Sequence, residues 1–396
     1  MRIAHLADLH LGFRQYHRQT AGGINQREAD VANAFRAAVD QVLESRPDAV
    51  VIAGDVFNAV RPTNAAIVFA FRQLQRLRDG LPEAPIVLVA GNHDTPRSSE
   101  TGSILRLFEE LRVDVAVDQA RRLSYPALDL SILAVPHAAC AAPAEDRPVL
   151  RPSGTEKVQV LLIHRELEGV IPREHTSLDY GLAPLDPAEL RRGGWSYVAL
   201  GHYHVCREVE PGMWYAGALE YVSSNPWGER ADEERDGVNG KGWLLVDLAK
   251  GRVEPRRVPA ARTVSDLPRI DAQGLSPAEL DAAIARKLTL VPGGCDDAII
   301  RLVIENAARH VVRELNHSAL RTVKARALHF HLDFRRPLPD RRAGVGAQGR
   351  RQSLPELVRE YLSGRPLPER VDRERFVGLG LELLEQREEA PSGEVA

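Results

Sequence analysis

The chain has 396 residues, enough for two or three domains and a substantial core, and 44% hydrophobic with 27% charged residues is the composition of an ordinary soluble protein. A net charge of −3 excludes global attraction to nucleic acid or to a membrane, so any basic surface must be local. Three cysteines (Cys140, Cys206, Cys295) are too few and too scattered for a disulfide framework or a Cys-rich metal site, which suits a reducing compartment.

The opening run "MRIAHLADLHLGFRQ" carries His5, Asp8 and His10 inside its apolar stretch and reads as no signal peptide. No run approaches the ~20 apolar residues that span a membrane. Arg2 to Ala7 reads as a short strand. Val31, Phe35, Ala38, Val39, Val42 and Leu43 recur at helical spacing, and Arg46-Pro47 ends that helix. "AVVIAG" (49–54) is a β-branched run too short for a helix, expected as a central strand buried on both faces. A helix follows over 62–79, then the strand "PIVLVAG" (85–91), then a helix over 103–111.

Strands then crowd together: "LDLSILAVP" (128–136), "VQVLLIH" (158–164), "YVALGH" (197–202), "WYAGAL" (214–219) and "GWLLVDL" (242–248). Alternating strands and helices followed by a strand-rich half predict an α/β (α+β) core: a two-sheet β-sandwich flanked by helices, spanning 1–258. A smaller β-α-β-α-β unit, a small α/β domain, occupies 259–335, and Ser276, Pro277 and Glu279 form a helix start with a capping box. The Pro-, Gly- and Arg-rich stretch 336–351 reads as a linker. Residues 352–390 hold two amphipathic helices, which must dock on the body or on a partner.

Five segments place polar, metal-competent residues where strands should end: "ADLHLG" (Asp8, His10), "AGDVFN" (Asp55), "AGNHD" (Asn92, His93, Asp94), "LLIHRE" (His164) and "LGHYH" (His202, His204). A sixth, "GALEY" (Gly217, Glu220), is much weaker. Open α/β sheets collect ligands beyond the carboxyl ends of their strands. The inventory lacks thiolates, so a structural zinc site is not expected, and mixed N/O ligation suits Mn²⁺, Fe or Zn in a catalytic site. Seven ligands are too many for one open site and fit two metals sharing a carboxylate, with Asp55 the best candidate for the shared one. Two metals ~3.5–4 Å apart polarise a phosphoryl group and supply a nucleophile. Each segment alone is weak: a lone His164 reads as a core histidine. Together, and in this order, they are hard to attribute to chance. His5, His329 and His331 are expected to pack or face solvent.

The ordered set D-x-H, G-D, G-N-H-D, H and G-H-x-H resembles the signature of calcineurin-like metallophosphoesterases. The resemblance implies one metal on Asp8, His10, Asp55 and His204, and a second on Asp55, Asn92, His164 and His202, most consistent with Mn²⁺. It also implies that His93 is the general acid, a role an imidazole near pKa ~6.5 can fill at neutral pH. Asp94 could orient His93. Within that superfamily, "HLADLHLG", "GDVFNAVRPTN", "VAGNHD" and "ALGHYH" look like the nuclease subunit of the SbcC–SbcD type. That likeness implies Mn²⁺-dependent DNA cleavage in double-strand-break repair, with 259–335 as a DNA cap and 352–390 gripping an SMC-like coiled-coil ATPase. Cytoplasmic, nucleoid-associated action goes with it.

Members of that group often carry a His where Asn58 stands; Asn58 can donate a hydrogen bond but cannot shuttle a proton, and Arg61 could compensate. The helix 62–79 is apolar all round in its first half, so more than one face is buried. The second face can lie within the monomer or, with 101–111, against a second copy in a homodimer, and the resemblance favours the dimer. The pairs Arg256-Arg257, Arg335-Arg336, Arg341-Arg342 and Arg350-Arg351 could meet DNA phosphates or be plain solvated surface. Two rivals remain open: a phosphodiesterase for cyclic nucleotides or small phosphate esters, and a non-enzymatic scaffold of the same fold.

Overall fold

The run AVVIA at Ala49–Ala53 forms a strand whose five residues are all buried. Val50 and Ile52 enter one core while Ala49, Val51 and Ala53 enter another, as the two-residue period of a strand requires. This strand sits between two layers, and the rest of the fold is arranged about it. The computed structural model describes residues 1–96, 102–171, 184–191, 193–337, 354–365, 367 and 371–389.

In chain order the strands are β1 (Arg2–Leu6), β2 (Ala49–Ala53), β3 (Ile86–Val89), β4 (Asp114–Ala116), β5 (Arg121–Tyr125), β6 (Leu130–Val135), β7 (Val158–His164), β8 (Tyr197–Gly201), β9 (Arg207–Glu210), β10 (Met213–Tyr215), β11 (Gly242–Asp247), β12 (Arg252–Arg257), β13 (Val264–Asp271), β14 (Ile299–Glu305) and β15 (His329–Phe334). The helices are α1 (Gln26–Ser45), α2 (Asn64–Gly80), α3 (His137–Ala141), α4 (Pro187–Arg191), α5 (Pro226–Arg235), α6 (Pro277–Leu288), α7 (Arg309–Arg313), α8 (His317–Arg326), α9 (Leu354–Ser363) and α10 (Arg373–Glu389).

The first sheet has the order β12-β11-β1-β2-β3-β4 and the second β5-β6-β7-β8-β10-β9. β1 to β4 run parallel, as do β6, β7, β8 and β10. Ile3, Val51 and Val87 of the first sheet pack against Ile132, Leu162 and Ala199 of the second. α1 and α2 cover the outer face of the first sheet through Val31, Phe35 and Leu74. The expected two-sheet sandwich flanked by helices is therefore present. His5 lies in the inter-sheet layer, with its Nδ1 3.0 Å from the Tyr197 hydroxyl.

The third sheet, β13-β14-β15, is all parallel and packs on Leu280 and Ile284 of α6 and Leu320 of α8. The expected capping box at Ser276 and Glu279 forms. Pro268 is tolerated because β13 is an edge strand whose register shifts between Leu267 and Ile270. Trp227 of α5 joins Ile299 of this sheet and Leu328, just before β15, in a small apolar cluster. Tyr16 stacks on His329 with ring centroids 4.2 Å apart, and Arg18 donates to the Ala325 and Ala327 carbonyls at the end of α8.

Three expected elements differ, one being the second helix of the β-α-β-α-β unit, which is broken into α7 and α8. The helix at 103–111 is a 3-10 helix over Ile104–Leu111, and the strand at 214–219 stops at Tyr215, because Gly217 turns the chain with φ of +78°. The edge strands β9 and β12 carry Arg, Glu and Pro and gave no strand pattern. Residues 337–396 form a separate unit in which α9 and α10 lie against each other. The expected linker lies outside the described residues from 338 onward.

Burial lowers the His5 imidazole to about 3. Unfolded, it titrates near ~6.5 and takes up a proton that the folded state refuses. Stability contributed above that value is therefore lost as pH falls towards 3. His5→Gln, which keeps a partner for the Tyr197 hydroxyl, should flatten the dependence of denaturation midpoint on pH between about 7 and 5.

Candidate metal centre

Each motif follows a parallel strand. Asp8 and His10 follow β1, Asp55 follows β2, Asn92 to Asp94 follow β3, His164 ends β7, and His202 and His204 follow β8. Because the two sheets stack with these ends together, residues distant in sequence meet. Backbone hydrogen bonds lock the loops: Asp8 N to Gly54 O at 3.0 Å, His10 N to Asp55 O at 2.9 Å. Asp8, His10, Asp55 and His202 all hold left-handed backbone, with φ of 51°, 44°, 50° and 108°. Such conformations cost of order 1–3 kcal/mol each and persist where the surroundings enforce them.

The glycines of the motifs are where the strand ends touch. A Cβ at Gly91 would stand 2.1 Å from Asp55 Oδ1, and one at Gly201 would stand 1.7 Å from the Ala53 carbonyl. Only glycine permits that approach.

Asp55 Oδ2 lies 3.6 Å from His10 Nε2 and 3.4 Å from His164 Nε2. His10 Nε2 faces His204 Nε2 at 3.2 Å. Asn92 Oδ1 lies 2.9 Å from His164 Nε2 and 3.2 Å from His202 Nδ1. Asp8 accepts the His202 amide at 3.0 Å, and its Oδ1 lies 3.9 Å from His164 Nδ1. Three groups have ligand atoms within 4.8 Å of one another: Asp8, His10 and His204; His10, Asp55 and His93; Asp8, Asp55 and His164. All seven expected ligands are thus brought together. A cavity of about 520 Å³ is lined by five of them, His10, Asp55, Asn92, His202 and His204.

Burial opposes charge throughout. It would raise Asp55, but His164, His10 and His93 outweigh it and hold the carboxyl well below the usual carboxylate range. Burial likewise would lower His164, yet Asp55 and Asp8 lift it to about 9. At three positions burial wins: it pushes His10 well down and His202 to about 3, and raises Asp8 to about 6, whereas at His204 Glu229 and Asp8 outweigh burial and shift the ring upward. His10 and His202, held neutral, offer free lone pairs, and a cation would take the place of the protons that Asp55 and Glu229 favour on His164 and His204. With the buried carboxylates they form a donor set that fits a hard-to-borderline divalent cation. Two imidazole nitrogens meeting at 3.2 Å need a proton or a cation between them.

His93 stands at the rim of the cluster, and its amide donates to Asp55 Oδ1 at 2.9 Å. Its ring partner differs from expectation: Nδ1 lies 2.8 Å from the backbone carbonyl of Asn58. Asp94 instead accepts from the amides of Val56, Phe57 and Gly91 at 3.0, 2.9 and 3.1 Å. Its two oxygens are aimed at the loop after β2, so it shapes that loop. Asn58 lines the cavity, whereas Arg61 is exposed and is not among the described lining residues. Glu220 of the weak sixth segment binds Arg27 and the Ala261 amide, a structural role.

Sequence reasoning missed Glu229, which lies 3.3 Å from His204 Nδ1, and its buried partner Lys241 at 2.5 Å. Glu229 stands in "SSNPWGERADEE", which reads as a solvated acidic helix, and nothing in that pattern announces a buried pair.

A family model described as calcineurin-like phosphoesterase matches residues 1–206, which contain all five strand-end motifs. The chain belongs to that family. The phosphoesterase is 28% identical over 280 residues to "DNA double-strand break repair protein Mre11" of Methanocaldococcus jannaschii, covering 69% of this chain and 67% of that protein. It is 28% identical over 254 residues to the protein of the same name from Sulfurisphaera tokodaii, covering 63% and 60%. The chain thus spans 60–67% of the length of these two relatives. A solved crystal structure, that of TT1561 of Thermus thermophilus, aligns with a TM-score of 0.36 at 11% identity, over 65% of this chain and 99% of that one. Family membership makes the phosphoesterase a hydrolase of phosphoester bonds that uses divalent metals.

Asp55→Asn should leave the fold intact and reduce divalent-ion binding to at most one per chain by calorimetry. Two ions retained at unchanged affinity would remove Asp55 from the shared position.

Proposed function

We propose that the protein is a Mn²⁺-dependent DNA nuclease that acts on broken duplex ends as partner of an SMC-like ATPase. The observation that carries this reading is the convergence of seven metal-competent side chains at five parallel strand ends, in a chain similar to two Mre11 proteins. One cation would be held by Asp8, His10, Asp55 and His204, the other by Asp55, Asn92, His164 and His202. Asp55 fits the shared place because one of its oxygens faces a nitrogen from each set. When bound, the two ions polarise the phosphoryl group and lower the pKa of water.

The chain's own groups do the rest. His93 is the general acid. Its Nδ1–H donates to Asn58 O, which fixes the ring and leaves Nε2 to carry a proton to the leaving sugar oxygen. Asn58 contributes through its carbonyl, which any residue could supply. A histidine's side-chain chemistry is missing there, and Arg61 is too exposed to replace it.

The proposed domains are a nuclease body over 1–258, a DNA cap over 259–335, a linker over 336–351 and ATPase-binding helices over 352–390. β12 ends at Arg257 and β13 opens the third sheet at Val264, which supports the first boundary. On α9 and α10, Tyr361 is 61% and Leu379 57% exposed, apolar surface suited to a coiled-coil partner. Action in the cytoplasm at the nucleoid follows from a DNA substrate. No helix among the described residues is long and apolar enough to cross a membrane.

The decisive assay is digestion of end-labelled linear duplex DNA with and without Mn²⁺. His93→Asn should abolish cleavage while metal and DNA binding persist, and full activity in that variant would sink the acid assignment. Faster turnover of a chromogenic phosphodiester than of DNA would favour a small-ester hydrolase.

α2 and the 3-10 helix leave Val68 47% and Leu107 36% exposed, beside half-buried Ile67, Phe69 and Ile104. This apolar face supports a two-fold dimer. Val68→Glu should convert dimer to monomer in analytical ultracentrifugation; a monomeric wild type would overturn the dimer.

A further inference from the structure

Behind His204, on the side away from the cation set, stands a buried carboxylate that no ligand set uses. Glu229 lies in the first turn of α5, and its Oε1 is 3.3 Å from His204 Nδ1 and accepts the Ser223 amide at 2.8 Å. Its Oε2 accepts from Lys241 Nζ at 2.5 Å. Lys241 Nζ also donates to the His204 carbonyl at 2.9 Å and pairs with Glu233 Oε1 at 3.1 Å. The side chains of Lys241 and Glu233 are each 1% exposed. Tyr221 closes the cluster: its ring lies 4.6 Å from the ammonium, and its hydroxyl donates to Glu233 Oε2 at 2.8 Å.

One buried ion pair therefore fixes both the backbone and the ring of His204. Three charges are buried here, two negative and one positive, leaving a net negative charge beside the ring. Buried ion networks add little net stability, so folding alone gives weak reason for this one. An imidazole that donates Nδ1–H to a carboxylate has a fixed tautomer and a more basic Nε2. That Nε2 is the atom facing His10. The opposite end of the ligand set is built differently, since His164 Nδ1 faces the neutral carbonyl of Ala53 at 2.8 Å.

We propose that Glu229, clamped by Lys241, is a positioning residue that orients His204 and tightens the cation site it serves. This rests on reading His204 as a metal ligand. It goes further by making the two cation sites unequal, with the tighter one next to α5.

The test is calorimetric titration of the full-length protein with Mn²⁺, alongside thermal melts of the metal-free forms. Wild type should bind two ions. In Glu229→Gln one of the two should weaken by about 10–100-fold while the other is unchanged. Tyr221→Phe, which disturbs the same buried cluster without touching His204, should bind as wild type does. Unchanged affinity at both sites in Glu229→Gln, or an equal loss in Tyr221→Phe, overturns the proposal. Fewer than two ions in wild type would instead overturn the reading of the metal centre itself. If Glu229→Gln does not fold, nitrogen NMR of the Zn²⁺-loaded wild type decides: His204 should carry its proton on Nδ1, and a bare Nδ1 overturns the proposal.

Discussion

The Asp55 carboxylate, ionised and only 2% exposed, is the constraint around which the protein is organised. Burying one charge is expensive unless opposing groups surround it. Here they come from other chain segments: the imidazoles of His10 and His164, the amide of His93, and the close glycine contact at Gly91. Delivering them requires strand ends from both sheets to meet. The stacking of the sheets, the glycines and the left-handed residues are therefore parts of one requirement. A divalent cation satisfies the same field from the open side, which is why the cluster is both poorly balanced by itself and well suited to a metal.

That requirement also explains what could be read from the sequence. A buried strand followed at once by Gly-Asp, or by Gly-Asn-His-Asp, is a local pattern with a local cause. The strand dictates burial, the glycine permits approach and the acid has to find a counter-charge. The seven side chains that converge at the strand ends were legible for this reason. Groups that act through backbone were not: nothing in the identity of Asn58 reveals that its carbonyl would hold the His93 ring. Asp94 misled in the opposite direction. Its position beside His93 suggested a dyad, yet the loop after β2 and the turn at Gly91 offer it three amides, a stronger claim on a buried carboxylate.

Tertiary pairing hid the remainder. Glu229 and Lys241 belong to segments separated by the rest of α5, and each in isolation reads as solvent-facing charge. His329 and His331 were expected merely to pack or face solvent. They stack with each other and lie against Trp227 and Tyr16, so they join the third sheet to the body. The segment expected as a helix at 103–111 differs in its winding, and its Leu105 and Phe108 are buried in the core of the chain itself. A short segment closed by i to i+3 bonds shows the same apolar spacing as one turn of α-helix.

One connection ties these observations together. The segment after β1 carries Asp8 and His10, places Phe13 in the cavity wall and then leaves for the third sheet. Gln15 donates to the Ser224 carbonyl just before α5, Tyr16 stacks on His329, and Arg18 closes on the carbonyls that end α8. Tyr16 takes left-handed backbone, with φ of 62°, to make that turn. This strap runs from Asp8 and His10, past the start of the helix that bears Glu229, to the third sheet. The third sheet is thus held to the body in part by the same short stretch of chain that carries Asp8 and His10.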